Sequence, residues 1–349
     1  MSHNILITGA SGYLGGSLFA QLNDATLPFH NNLYALVRSE SQAEAVRQYG
    51  AEPLILDLKN PEEVKRGIIE KEITVIFFLI DAFECHTQKV MIDALAQVKR
   101  DTGKNVHFLH TTGAKAFSSH VGMTTTTAIT DSDANLYDIQ KTTIAPEPNS
   151  WFSQIARTNV NVIDAAEERG VRSYIFAPCI VYGRGEGFGN RISIQDVAVV
   201  RAARSAARVF RVDEGRPVWP VCHIQDNTSL YIQILRGILE EKDIGHGRSG
   251  FFLASPGTVA WDDIYAAFAK ALAKRGVIDD ASVETADETA LKKMEQGLDL
   301  GNGPVAIQLG GGCTFTATHG KKIGWEPKYA PEHILEVADE EVELILKDI

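Results

Sequence analysis

Paired cysteines, a basic surface, long apolar runs and internal repeats are all missing from this 349-residue chain. Its four cysteines, Cys85, Cys179, Cys222 and Cys313, are widely separated and form no CxxC pair. That usage suits a reducing compartment and gives no metal-ligand spacing, so no metal site is expected. The longest apolar run, Val75 to Ile80 after Ile73-Thr74, is far too short to cross a bilayer. No basic segment followed by a long apolar stretch opens the chain, so a cytoplasmic protein without membrane attachment is expected. A net charge of −11 provides no basic footprint for nucleic acid. What is present is ordinary globular material: 44% hydrophobic and 23% charged residues, enough to bury a full core over about two domains.

Short apolar runs alternate with amphipathic segments through the first half. Ile5–Thr8, Leu33–Val37, Pro53–Leu56, Thr74–Ile80, Val106–Thr111 and Tyr174–Ala177 read as strands too uniformly apolar to have a wet face, as in a parallel sheet covered on both sides. Asn60-Pro61-Glu62-Glu63 reads as a helix start, with an N-cap and a proline at the first helical position. Thr87–Arg100 and Trp151–Arg169 read as further helices. This alternation predicts an α/β Rossmann fold, a doubly wound parallel sheet. Residues 113–150, with Thr124–Thr127 and two prolines, read as a long loop or insertion. Beyond residue 183 the rhythm becomes irregular, with helices expected near 194–209, 226–241, 261–275, 287–296 and 331–347. We expect a dinucleotide domain over 1–185, with 215–245 returning to it. A smaller, mostly helical substrate lobe is expected over 186–214 and 246–349.

The stretch Ile7-Thr-Gly9-Ala-Ser11-Gly12-Tyr13-Leu14-Gly15 follows the first strand and opens a helix. A helix N-terminus offers unpaired N–H groups and a positive dipole end, which a diphosphate can use if no side chain blocks its approach. Glycines at 9, 12 and 15 permit the tight turn, the close approach and tight helix–strand packing. The second strand ends Val37-Arg38-Ser39, where NAD-selective folds usually place an acid. A guanidinium and a hydroxyl there suit a 2′-phosphate, so NADP(H) is the expected cofactor, with NAD possible.

The run TGASGYLG resembles the TGxxGxxG signature of the short-chain dehydrogenase/reductase superfamily, in particular its extended, NAD-dependent epimerase/dehydratase-like branch. Asp57-Leu58 resembles the pair that flanks adenine, and Pro178-Cys-Ile180-Val181-Tyr-Gly183 the segment beside nicotinamide. His223-Ile-Gln-Asp226 and Gly324-Trp-Glu-Pro327 resemble two further landmarks, and Tyr182–Gln195 is similar to a run in fungal-type atypical members. The resemblance implies cofactor contacts from Gly9, Ser11, Gly12, Tyr13, Leu14, Gly15, Arg38, Ser39, Asp57 and Leu58. It extends them to Leu79, Ile80, Thr111, Lys141, Pro178, Ile180 and Val181.

Active members use a Ser/Thr, a Tyr and a Lys. The chain contains Tyr137-Asp-Ile-Gln-Lys141, whose ends share a face if the segment is helical, with Thr112 as the candidate hydroxyl. The spacing departs from the family. The helix before Pro178 starts with Phe152 and Ala156 where the tyrosine and lysine are normally found, and Gly113 stands where the hydroxyl usually sits. Lys115 reads as a solvated loop lysine or one facing the nicotinamide, His110 as a core histidine, and His223 as a brace acting through Asp226. The acidic run Asp339-Glu340-Glu341 reads as a solvated face. Phe188, Asn190, Arg191 and Gln195 are the candidate substrate contacts, with Phe117 and Phe152 adjoining.

The expected activity is an NADP(H)-dependent oxidoreductase acting on a small, apolar or aromatic carbonyl or alcohol, with a homodimer possible. The alternatives are a non-redox NAD(P)-binding protein resembling NmrA-like regulators, or an epimerase or dehydratase.

Overall fold

The computed structural model describes residues 2–22, 24–144, 151–299, 301 and 303–349, with Trp151 and Phe152 described in their backbone alone. Seven strands form the central sheet: β1 (Ile5–Ile7), β2 (Leu33–Val37), β3 (Glu52–Ile55), β4 (Val75–Phe78), β5 (His107–Thr111), β6 (Arg172–Pro178) and β7 (Phe251–Ala254). Their order is β7-β6-β5-β4-β1-β2-β3, and every neighbouring pair is parallel. β1, β4, β5 and β7 are buried along their whole length, which is why these segments carry no alternation of apolar and polar residues.

Helix formation follows the local chemistry. Asn60 caps the helix Pro61–Glu70 by accepting from Glu63 N, and Ser39 caps Glu40–Arg47 by accepting from Gln42 N. Gly103, in the left-handed region at φ +70°, ends His86–Thr102. The helix Ile224–Leu239 returns to the sheet and packs on the helix Tyr13–Leu22. Among the described residues, no helix is long and apolar enough to cross a membrane.

Two segments differ from the sequence expectation. Phe251–Ala254, expected with the smaller lobe, is the edge strand of the main sheet, paired to β6. Residues 113–150 are not simply a loop. They form 3-10 turns at Ala114–Phe117 and Ser119–Val121, a strand Ile129–Thr130 paired with Phe315–Thr316, and a helix Leu136–Ile144. Residues 145–150 lie outside the described residues. Buried Asp131 ties the insertion down, accepting from Leu253 N (3.1 Å) and His319 N (2.6 Å).

A second, three-stranded sheet places Val218–His223 between Ile180–Tyr182 and Gly257–Ala260. The landmarks around residues 223–226 and 324–327 meet beside it. Asp226 accepts from Lys328 N and Tyr329 N, each 2.9 Å, and Trp325 Nε1 donates to Asp226 O. His223 caps the adjoining helix by accepting from Gln225 N, and burial with His333 nearby lowers its pKa to about 4.

The acidic run near the C-terminus is only partly a solvated face. Asp339 pairs with Lys274 and Arg275 at the surface, but Glu341 is 3% exposed. Its Oε2 accepts from Gly183 N (2.9 Å), and it faces buried Asp196 at the start of the helix Gln195–Ala206. The charges of both carboxyls also act on Tyr13, whose phenol donates to Gly183 O. Burial raises both carboxyls, Glu341 to about 7, so the pair holds protons that two isolated carboxyls would release. The unfolded chain gives up the Glu341 proton near 4.5, so this group's contribution falls as pH rises from about 4.5 through about 7. Thermal denaturation between pH 5 and 8 should therefore show Glu341→Gln gaining melting temperature relative to wild type as pH rises. A constant difference across that range would contradict the shared-proton arrangement.

Candidate functional site

The strand order reverses between β1 and β4, which opens a crevice at their carboxyl ends, where ligands of doubly wound sheets bind. Thr8 fixes its floor: Thr8 N donates to Phe77 O (3.0 Å) and Leu79 N donates to Thr8 Oγ1 (2.8 Å). Gly9 then turns at φ +74°, and Gly12 N closes the turn on Gly9 O at 2.9 Å. A Cβ on Gly15 would collide with that same carbonyl, so the helix from Tyr13 starts hard against the strand end.

Above this turn lies a cavity of about 420 Å³, lined on one side by Gly9, Gly12, Tyr13, Leu14 and Gly15. Leu79, Pro178 and Val181, expected cofactor contacts, also line it, with Cys179, Ala198, Trp219 and Gln308. Thr112 lines it too. Its Oγ1 is buried and has no partner among the described residues. Leaving such a group unpaired costs about 1–3 kcal/mol, which a ligand oxygen would relieve. Bare glycine backbone at a helix N-terminus fits a dinucleotide, and Thr112 stands in the wall of the same space.

Several expected cofactor contacts stand elsewhere. The Thr111 hydroxyl bonds Tyr231 Oη (2.8 Å) away from the cavity, because alternate residues of a strand face opposite sides. Ile180 is fully buried in the second sheet, and Ile80 is 45% exposed outside the cavity lining. Asp57 is exposed and accepts from Lys59 N within its own turn, with Leu58 half-buried beside it. Ser11 Oγ accepts from Gln42 Nε2, and Ser39 is occupied as a helix cap. Arg38, exposed at the end of β2, makes no side-chain hydrogen bond or ion pair with a described residue.

The Tyr137–Lys141 pair forms, but away from the cavity. Both residues lie on the helix Leu136–Ile144, and Lys141 Nζ donates to Tyr137 Oη at 3.2 Å. The phenol donates to Asp164 Oδ1 (2.5 Å) on the helix Trp151–Glu168, and the Arg248 guanidinium covers the ring at 4.4 Å. Neither residue, expected to act at the cofactor, lines the cavity. The helix Trp151–Glu168 contributes Ile155 to the lining, while Ala156 is buried and the Phe152 side chain is outside the described residues.

The substrate candidates divide. Asn190 and Gln195 line the cavity. Phe188 packs against Tyr49 instead, with ring centres 6.3 Å apart, and Phe117 is core between Phe251 and Phe315. Arg191 Nε donates to Gly187 O, and its side chain turns to a separate polar cavity shared with Arg184 and His333. Lys115 is not a solvated loop residue: it lines the cavity above the glycine turn, and burial lowers its pKa to about 8. His110 is core, its pKa lowered by burial to about 3. Trp219 and Gln308 escaped sequence reading. Trp219 lies in an apolar strand that resembles any other, and Gln308 comes from a five-residue helix, Val305–Leu309, that has no periodic signal.

Two substitutions separate the cavity from the Tyr137 cluster. Gly15→Ala should lower dinucleotide affinity at least tenfold by calorimetry, because the turn must open to admit the methyl group. Tyr137→Phe should leave that affinity within twofold while costing about 1 kcal/mol of stability, the usual worth of one hydrogen bond. A large loss of affinity with Tyr137→Phe would place the phenol at the ligand.

The model of the NAD-dependent epimerase/dehydratase family matches residues 5–245. The uncharacterized protein C2A9.02 of Schizosaccharomyces pombe is 24% identical over 237 residues, covering 66% of this chain and 70% of that protein. UDP-glucose 4-epimerase from Thermotoga maritima, solved with UDP-glucose, aligns with a TM-score of 0.62 at 17% identity, covering 98% of this chain and 99% of its own. dTDP-glucose 4,6-dehydratase from Bacillus anthracis, in complex with NAD, aligns with a TM-score of 0.64 at 14% identity, covering 99% and 97%. Vestitone reductase from alfalfa aligns with a TM-score of 0.57 at 14% identity, covering 98% of each chain. At such identities the structural likeness is one of fold. With the family model matched along most of its length, this chain belongs to the NAD-dependent epimerase/dehydratase family.

Proposed function

We propose that the chain is an NADP(H)-dependent oxidoreductase acting on a small, largely apolar carbonyl or alcohol. The observation that carries this reading is the one cavity that the glycine turn, Thr112 and Lys115 all line. A bound nicotinamide supplies hydride chemistry. The protein's part is to hold and orient. First-turn N–H groups and the helix dipole from Tyr13 take the diphosphate, and Thr112 offers a hydroxyl to a carbonyl oxygen. Leu14, Ile155, Val181, Ala198 and Trp219 keep the remaining space apolar, which suits an uncharged organic substrate.

Arg38 supports NADP(H) over NAD(H), since its guanidinium has no partner among the described residues and positions 38 and 39 offer no acid to bond a ribose hydroxyl. Charge-assisted bonds to a 2′-phosphate contribute about 1.5–3 kcal/mol, or roughly ten- to a hundredfold in affinity.

One observation favours a second reading, a protein that binds the dinucleotide without redox chemistry. The tyrosine–lysine pair is engaged by Asp164 outside the cavity, and the adjacent helix contributes aliphatic Ile155. Calorimetry with NADPH and NADH, followed by NADPH oxidation across aromatic and aliphatic aldehydes and ketones, tests both. NADPH should bind at least tenfold tighter than NADH, Arg38→Ala should abolish that preference, and at least one carbonyl should be reduced. Equal affinities would contradict the cofactor assignment, and tight binding with no turnover across the panel would favour the non-redox reading.

A further inference from the structure

Hydride transfer to a carbonyl leaves an oxyanion that needs a proton, so the cavity must contain a group that can give one. Three side chains lining it carry a titratable proton: Tyr13, Cys179 and Lys115. The Tyr13 phenol donates to Gly183 O at 2.5 Å, and burial raises its pKa well above the ordinary value. The Cys179 thiol donates to Ala254 O at 3.2 Å and is likewise raised well above its ordinary value. Both protons are committed to backbone carbonyls and held more tightly than in water.

Lys115 differs on each point. It is the one charged side chain in the lining, and its ammonium has no hydrogen bond or ion pair among the described residues. Its backbone is held on several sides. Ala116 N donates to Gly113 O, Ser118 Oγ donates to Lys115 O, and Gln140 Nε2 donates to Ala116 O. The side chain therefore leaves a fixed turn three residues after Thr112, and both residues line the same cavity.

We propose that Lys115 is the proton donor of this cavity, protonating the substrate oxygen to which the Thr112 hydroxyl hydrogen-bonds, and accepting that proton in the reverse direction. The proposal rests on the oxidoreductase reading. In the reductive direction a bound dihydronicotinamide would supply a hydride to the carbonyl carbon, forming a C–H bond and leaving the nicotinamide oxidised. The C=O π pair moves onto oxygen, which takes a proton from the Lys115 ammonium. The neutral amine regains a proton from water. An ordinary lysine near 10.5 is a weak acid at neutral pH, and burial brings Lys115 to about 8, closer to the working range.

The test combines a readout independent of turnover with a kinetic one. Competitive acetylation of the wild-type protein across pH 6–11, read by peptide mass spectrometry, should show Lys115 titrating near 8 and protected by NADP⁺. Lys115→Met should lower kcat by about a hundredfold or more, as loss of a general acid does, with NADPH affinity within a few-fold. Lys115→Arg keeps the charge but holds its proton too tightly, so kcat should stay low and lose its dependence on a group near pH 8. Titration near 10.5, or a Lys115→Met enzyme within threefold of wild-type kcat and pH profile, overturns the proposal and leaves the oxidoreductase reading standing. A wild-type protein that binds NADPH but reduces no carbonyl overturns that reading, and the proposal with it.

Discussion

Gly15 lies against the carbonyl of Gly9, and Gly16 lies against Gly187, with no side chain between either pair of backbones. The rest of the cleft depends on this double contact. The first pair sets the helix Tyr13–Leu22 onto the end of β1 and leaves its first turn bare toward the cavity. The second brings the connector after Gly183 across the same helix, where Asn190 N donates to Ser11 O at 2.9 Å. Asn190 and Gln195 reach the cavity rim because the connector is pinned there, while Phe188 and Arg191 point away from it. One steric requirement thus shapes both the cofactor side and the substrate side.

A second constraint is electrostatic. The cavity wall is largely apolar and contains one cation and one unpaired hydroxyl, Lys115 and Thr112. Behind Gly183, burial holds the carboxyls of Asp196 and Glu341 above the ordinary carboxylate range, and away from the cavity Lys141 donates to Tyr137, which donates to Asp164. Lys115 is thus the cation of a wall whose other polar side chains, among them Asn190, Gln195 and Gln308, are uncharged, in a medium where its interactions are strong.

The sheet and the cradle were legible in the sequence because they follow from local rules. A uniformly apolar strand must be covered on both faces, and three spaced glycines between strand and helix have one economical structural use. The catalytic side was not legible in the same way. Tyr137 and Lys141 do share a helical face, as their spacing requires, but which way that face points is decided by Asp164 and Arg248, distant in sequence. Strand alternation separates Thr111 from Thr112, a distinction that shows only once the register of β5 is fixed. Glu341 sits in an acidic run that reads as solvated, and packing of the last helix against the helix Gln195–Ala206 buries it. Lys115 looks like a loop lysine because the turn that anchors it is held by partners as remote as Gln140.

The central claim is that chemistry in this protein belongs to the cavity of Thr112 and Lys115 and not to the Tyr137 cluster. A crystal structure of the NADPH complex with a bound carbonyl substrate or inert analogue addresses it directly. The account predicts the carbonyl oxygen within hydrogen-bond reach, about 2.6–3.2 Å, of Lys115 Nζ and Thr112 Oγ1, with Tyr137 still bonded to Asp164. A complex in which Tyr137 has left Asp164 and lies against the carbonyl oxygen, with Lys115 turned to solvent, would contradict it.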